Sequence, residues 1–426
     1  MTLGGHIVWL DLGQPAGAAQ LSKVDGPLAL TLTTLDAAQL KPAQGLAQRF
    51  PTDIRFYPNR PEPSDLRPLG TLQNARGLSI YTSSPSVQFP DLRSDSRLER
   101  VYVFSNAPTD PLLPLLPSGL KSLSIFGPLG AASFSKLDRF SALETLALGG
   151  DALDARALAK LKRLKELTLM LPLGDTEFAL IAELEQLERL SVARSEFTAA
   201  AGPHLAKLKQ LKQLDLLGST VAPEALSKLG TLSHLTQLGL PRADEQIMKY
   251  VVTLPQLTRF SAPQVVGGRA LELVSGMSQL RELDLSQTAL GASEVRLLGK
   301  LESLEGLTLN TIQAPGSLAP LSKLRHLRRL SLAHSQLNAA DVGVIAQLSE
   351  LRELDLSDTS LTDAGLEALS KLKQLRVLYI DRTAITRQGQ ATLLSFPKLT
   401  FTGVDGTALS CKELMTASTR LTCQGR

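Results

Sequence analysis

Pairs of apolar residues one position apart recur along this 426-residue chain at an almost constant interval, which constrains the fold more than any single motif does. They begin at Leu30/Leu32 and Ile54/Phe56, sharpen at Leu78/Ile80 and Val101/Val103, and run on through Leu354/Leu356 to Thr402/Val404. Successive copies lie 21 to 24 residues apart, seventeen in all. An alternating L-x-L is a short strand with one apolar face. Between such strands lie segments like DAGLEALSKL, where Leu366, Leu369 and Leu372 recur at helical spacing. One strand and one short helix cannot bury their own apolar faces, but stacked copies can. Only 4% of residues are aromatic although 43% are hydrophobic, so the core is largely leucine in many small equivalent layers. The expected fold class is α/β, with repeat strands forming a long parallel sheet.

The full unit reads L-x-x-L-x-L-x-x-[TSN]-x-L followed by the helical segment, and over nearly the whole chain it resembles the leucine-rich repeat superfamily. TDAGLEAL, residues 362–369, is similar to bacterial repeats of the GALA and ribonuclease-inhibitor-like kind. SLAPLSKLRHLRRLSL, residues 317–332, is similar to the shorter internalin-like style. The resemblance implies a curved solenoid, strands lining its concave face and short helices its convex face. It also implies a bacterial, non-catalytic module that binds a protein or peptide. A secreted effector engaging a host protein is one alternative, although no F-box-like segment stands at the N-terminus. A surface or periplasmic carbohydrate-binding protein is another.

Three segments are expected: an N-terminal cap over 1–29, a single solenoid over 30–409, and a C-terminal cap over 410–426. Cys411 and Cys423, the two cysteines of the chain, fall in the last segment. They are expected to form a disulfide closing a small C-terminal loop, the alternative being two free thiols, and are too few for a zinc site without histidine. A polar residue recurs five positions after the first strand leucine: Asn59, Ser83, Asn106, Asp151, Ser195, Ser219, Thr288, Ser335, Thr359, Thr383 and Thr407. These side chains are expected to satisfy backbone groups where the chain leaves the strand.

No catalytic constellation is visible. The five histidines are scattered, and there is no P-loop, H-E-x-x-H or G-x-S-x-G. No enzyme activity and no cofactor are therefore expected. No run of apolar residues is long enough to span a membrane, and the N-terminus does not read as a signal peptide. The net charge of +4 arises from 45 basic and 41 acidic residues that alternate along the chain, so no nucleic-acid stripe is expected. A monomer in an extracytoplasmic or secreted setting fits these readings.

Function is then expected in the variable strand positions. The row before the first leucine holds Arg100, Glu166, Arg189, Arg259, Glu282, Arg329 and Glu353. The row between the two leucines holds Tyr102, Asp215, Asp284, Asp355 and Tyr379. The row after the second holds Tyr57, Tyr81, Phe104 and Phe126 in four consecutive units, seen in IRFYPN, LSIYTS, VYVFSN and LSIFGP, and is extended by Met170 and Leu217. Equivalent positions in stacked strands lie about 5 Å apart, so these rings are expected to form a ladder. Either the ladder is a hot spot for a partner, or it packs on itself to stiffen the sheet.

Overall fold

A computed structural model describes residues 8–12, 28–59, 62–151 and 153–425. The chain divides into two compact units. Unit 1 comprises Met1–Gln213 with Leu217–Ala225, and unit 2 comprises Leu214–Leu216 with Leu226–Arg426.

In unit 1 the strands β1 (Val8–Asp11), β2 (Leu28–Leu32), β3 (Thr52–Phe56), β4 (Gly77–Thr82), β5 (Arg100–Ser105), β6 (Ser122–Phe126), β7 (Thr145–Gly149), β8 (Glu166–Met170) and β9 (Arg189–Ala193) follow one another in chain order. Each pairs in parallel with the next. The register is in step: Leu30 lies opposite Ile54, Ile54 opposite Leu78, and Leu78 opposite Val101. The recurring apolar pair therefore points into one continuous core, with Leu30, Leu123, Leu146 and Leu148 fully buried. β1 already pairs with β2, so the segment expected as an N-terminal cap contains a rung of the ladder.

Unit 2 repeats the plan with shorter strands. Gln237–Gly239, Arg259–Ser261, Glu282–Asp284, Gly306–Thr308, Arg329–Ser331, Glu353–Asp355, Val377–Tyr379, Phe401–Gly403 and Thr422–Gln424 pair in parallel, each with the next. The last of these lies in the expected C-terminal cap, preceded by the helix Cys411–Ala417, so that segment also adds a rung. Cys411 and Cys423 are joined as a disulfide.

Opposite the strands, helices form where the sequence supplies a cap and an apolar stripe. Asp244 accepts a hydrogen bond at 3.0 Å from the Ile247 N–H, and the helix Glu245–Val251 buries Ile247, Met248 and Val251. In Asp363–Leu369 the expected Leu366 and Leu369 are buried, and Leu372 is buried just beyond. A buried carboxylate holds Ala339–Ile345 in place. Asp341 accepts hydrogen bonds from the N–H groups of Gly316 (2.6 Å), Leu318 (3.1 Å) and Asn338 (3.1 Å), satisfying a turn and the start of its own helix together.

The polar column behaves as expected from Ser195 onward. Ser195 Oγ accepts a hydrogen bond from the Leu173 N–H at 3.0 Å, Thr288 Oγ1 from Val265 at 2.9 Å, and Ser335 Oγ from Ile312 at 3.0 Å. Thr359 and Thr383 donate to the carbonyls of Leu356 and Ile380. Earlier in the chain the column shifts, because Asn59, Ser83, Asn106 and Asp151 are exposed and the buried residues are Thr82 and Ser105. β4 and β5 continue for six residues, so strict alternation turns the fourth position after the first apolar residue inward, and the fifth outward.

Candidate partner-binding face

Among the described residues, the exposed aromatic side chains, Tyr57 and Phe104, both lie in unit 1. Rings touch in the order Tyr57, Tyr81, Tyr102, Phe126, with centroids 5.5, 5.2 and 5.7 Å apart and the planes tilted. The ladder is not the one expected from a single row. Tyr81 lies opposite Phe104 in the register, yet its ring meets Tyr102, the diagonal neighbour two residues earlier on β5. Diagonal partners are within reach of aromatic side chains, and Tyr102 projects to the same face as Phe104. Phe104 is thereby displaced outward and is 47% exposed, beside Tyr57 at 59% and Met170 at 46%. Phe126 leans over the next rung because that rung carries Gly149: a β-carbon there would lie 3.0 Å from the Phe126 ring.

Electrostatics around the rings are mild. The Arg55 guanidinium carbon stands 5.9 Å from the Tyr81 centroid. Burial, with the neighbouring Tyr81, pushes the Tyr102 phenol above its ordinary range.

Most of the charged residues expected to select a partner are taken up within the sheet. Arg100 pairs with Asp53 at 2.6 Å across an intervening rung, and that rung carries Gly77. A β-carbon on Gly77 would lie 2.4 Å from the Asp53 carboxylate, so glycine opens the path of the pair. Unit 2 repeats the device: Arg329 pairs with Glu282 across Gly306. Arg189 pairs with Glu166 on the adjacent strand. Asp284 accepts a hydrogen bond from Ser261 Oγ at 2.9 Å, and Asp355 from the Ser357 N–H at 2.9 Å. Asp215 is half-buried at the end of Gln213–Asp215, and Arg259 is exposed without an ion pair among the described residues.

A further row escaped the sequence reading, although its signal was present two residues before the first leucine. Arg76, Glu99, Lys121, Glu144, Lys165, Glu188 and Lys212 alternate in sign on consecutive rungs. Glu99 is held between Arg76 (2.7 Å) and Lys121 (2.6 Å); Lys165 meets Glu144 at 3.0 Å and Lys212 meets Glu188 at 2.7 Å. These contacts hold the three carboxyls below their ordinary range, in each case chiefly through the lysine hydrogen bond.

With this geometry in hand, residues 119–421 match the family model described as a leucine-rich repeat region. The chain is a leucine-rich repeat protein. Three solved structures are similar to the chain. A leucine-rich repeat protein of Leptospira interrogans is 18% identical, covering 94% of this chain and 100% of its own, with a TM-score of 0.47. An internalin of Listeria monocytogenes is 18% identical over 80% of this chain and 84% of its own, with a TM-score of 0.36. The structure of a TLR13–ssRNA13 complex is 17% identical over 96% of this chain and 62% of its own, with a TM-score of 0.44. No curated protein sequence matches. Among the described residues, no helix is long and apolar enough to cross a membrane, and no group of three or more His, Cys, Asp or Glu is placed to hold a metal ion.

Proposed function

We propose that this leucine-rich repeat protein is a monomeric, non-catalytic docking scaffold whose unit 1 strand face receives a protein or peptide partner. The observation that carries this reading is the aromatic face itself: a run of four touching rings with Phe104 and Met170 standing half exposed beside it. A soluble protein rarely leaves such a patch bare without a use for it. The ring contacts fix the side chains in advance, so a partner loses little ordering entropy when it binds. The Cys411–Cys423 disulfide favours an oxidising, extracytoplasmic setting.

Phe104→Ala and Met170→Ala test the docking face, because both residues project from the ladder. Affinity capture with mass spectrometry is expected to return a protein held by the native chain and lost with the variants at unchanged melting temperature. Capture unaffected by both substitutions overturns the reading. Binding to a glycan array in place of protein redirects it to carbohydrate. A thiol assay on freshly isolated native protein tests the compartment, with free Cys411 and Cys423 counting against it.

A further inference from the structure

The last rungs of unit 2 present a second surface of different chemistry. The rings of Tyr379 and Phe401 lie 5.3 Å apart on neighbouring strands. The next position along holds Gly403, where a β-carbon would come within 2.9 Å of the Tyr379 ring and 2.5 Å of the Asp381 carboxylate. The ring and the carboxylate therefore lean over Gly403, which is buried, while Tyr379, Phe401 and Asp381 remain half-buried. Glu353, Asp355 and Asp381 all bear on the Tyr379 phenol, which burial first, and then these charges, push above its ordinary range.

These carboxylates differ from the others in the same rows. Asp53, Glu166 and Glu282 each have an arginine. Glu353, Asp355, Asp381 and Asp405 have no ion pair among the described residues. Arg382, whose guanidinium also feels Asp381 and Asp405, is engaged with Asp358. Arg352 and Arg376 sit at the opposite end of their strands; Arg376 precedes Asp381 by five residues, roughly 16 Å of extended chain. The acids are also held in place. Asp355 accepts from the Ser357 N–H at 2.9 Å and Ser331 Oγ at 3.3 Å, and Asp381 from the Asp405 N–H at 2.6 Å. Fixed carboxylates around a half-buried aromatic pair offer both Coulombic and cation–π attraction.

We infer that this face binds a lysine- or arginine-bearing segment of a partner protein, seating the cationic side chain against Tyr379 and Phe401 between Asp355 and Asp381. The site is separate from the aromatic face of unit 1, and the inference does not depend on the function proposed there.

The probe is a short fluorescein-labelled Lys–Gly repeat peptide, compared with the same peptide bearing acetylated lysines, by fluorescence anisotropy with the full chain. Binding is expected for the charged peptide alone, weakening with salt. The double variant Asp355→Asn/Asp381→Asn keeps acceptor oxygens for the Ser357 and Asp405 N–H groups, and is expected to weaken binding by about tenfold or more. Tyr379→Leu, which leaves the acids in place, is expected to weaken it by about fivefold. Equal binding of the acetylated peptide, or full affinity in either variant, overturns the inference. Loss of binding in Tyr81→Leu with both unit 2 variants unaffected also overturns it, by locating the peptide on unit 1.

Discussion

Units 1 and 2 build the same repeat and part company after its second apolar residue. β4 and β5 hold six residues in the ladder, whereas each rung from Gln237–Gly239 onward holds three. In β4, β5 and β6 the aromatic at the third position stays on the strand, and Phe104 lies directly opposite Phe126. In unit 2 the chain turns out at that point and makes a second ladder from the turn itself. His334 donates to Ser357 O at 2.9 Å, Asp358 to Asp381 O at 2.8 Å, and Thr311 to Ala333 O at 3.0 Å. Thr311, His334, Asp358 and Arg382 all adopt positive φ, each four positions after the first leucine. Where an aspartate follows that leucine, its carboxylate helps the turn by taking an N–H two residues on, as Asp284 does from Ser286 at 3.0 Å. The same repeat position is thus a strand position at Thr82 and Ser105 in β4 and β5, and a turn position at Thr311, His334, Asp358 and Arg382. A row drawn by counting residues remains a row in space only where the strands are long enough to contain it.

The largest effect expected from breaking this contrast lies in unit 2, whose turns depend on buried polar clamps. Asp341→Ala orphans three backbone N–H groups and is expected to cost about 3 kcal/mol in urea unfolding. Asp341→Asn, keeping an acceptor, is expected to cost less. Equal, small losses for both would mean that the clamp contributes nothing.

Unit 1 relies on rings where unit 2 relies on clamps, and there the expected costs are unequal. Tyr102→Ala removes the link between Tyr81 and Phe126 and is expected to cost about 2 kcal/mol. Phe104→Ala, 47% exposed, is expected to cost under about 1 kcal/mol. The reverse order would put Phe104 in the ladder and Tyr102 outside it.

How much of this could be read in advance follows from the same contrast. Period, strand position and core side were legible, because leucine at Leu354, Leu378 and their equivalents can only point inward. So was a crowd of rings on neighbouring strands, expected as Tyr57, Tyr81, Phe104 and Phe126 with Tyr102 beside them and found with Tyr102 in the run in place of Phe104. Three things were not. Whether Tyr81 stacks on Phe104 or on Tyr102 depends on side-chain tilt, which spacing does not encode. Pairing across a rung, as with Arg100 and Asp53, is visible only once Gly77 is seen to leave the gap open. Asp341 reads as an ordinary helical acid until the Gly316 turn is folded against it.

Relieving the turn ladder should raise stability. A β-branched residue at φ 69° is strained, so Thr311→Gly is expected to stabilise unit 2 by about 1 kcal/mol, despite the flexibility gained by the unfolded chain. Arg194 in unit 1 has a similar φ of 63°, and Arg194→Gly is expected to give a smaller gain because its contact with Asp151 at 3.7 Å is lost. Thermal unfolding checks both. A loss of stability in Thr311→Gly would show that the backbone strain is not what limits that turn.

The smallest effect, spread over many surface groups, is acid sensitivity, and it should again separate the units. In unit 1, Asp36, Glu62, Asp65, Asp91, Glu99, Glu144, Glu183 and Glu188 are held below their ordinary range by hydrogen bonds to hydroxyls, arginines or lysines. In unit 2, Glu294 and Asp358 are. A carboxyl whose folded pKa is depressed contributes stability above its unfolded pKa and loses that contribution as pH falls through the folded value. The window therefore opens near the ordinary glutamate value of 4.5 and extends down to about 2, where Asp65 and Asp91 take up protons. Because these groups are exposed, each contributes little, and salt weakens it further. Hydrogen–deuterium exchange, corrected for intrinsic rate and followed peptide by peptide, is expected to show unit 1 losing protection across this window before unit 2. Glu99→Gln, which removes the carboxylate between Arg76 and Lys121, should narrow the difference. If both units lose protection together, the alternating charges of unit 1 are ornament on a surface whose acid stability is set by the common leucine core.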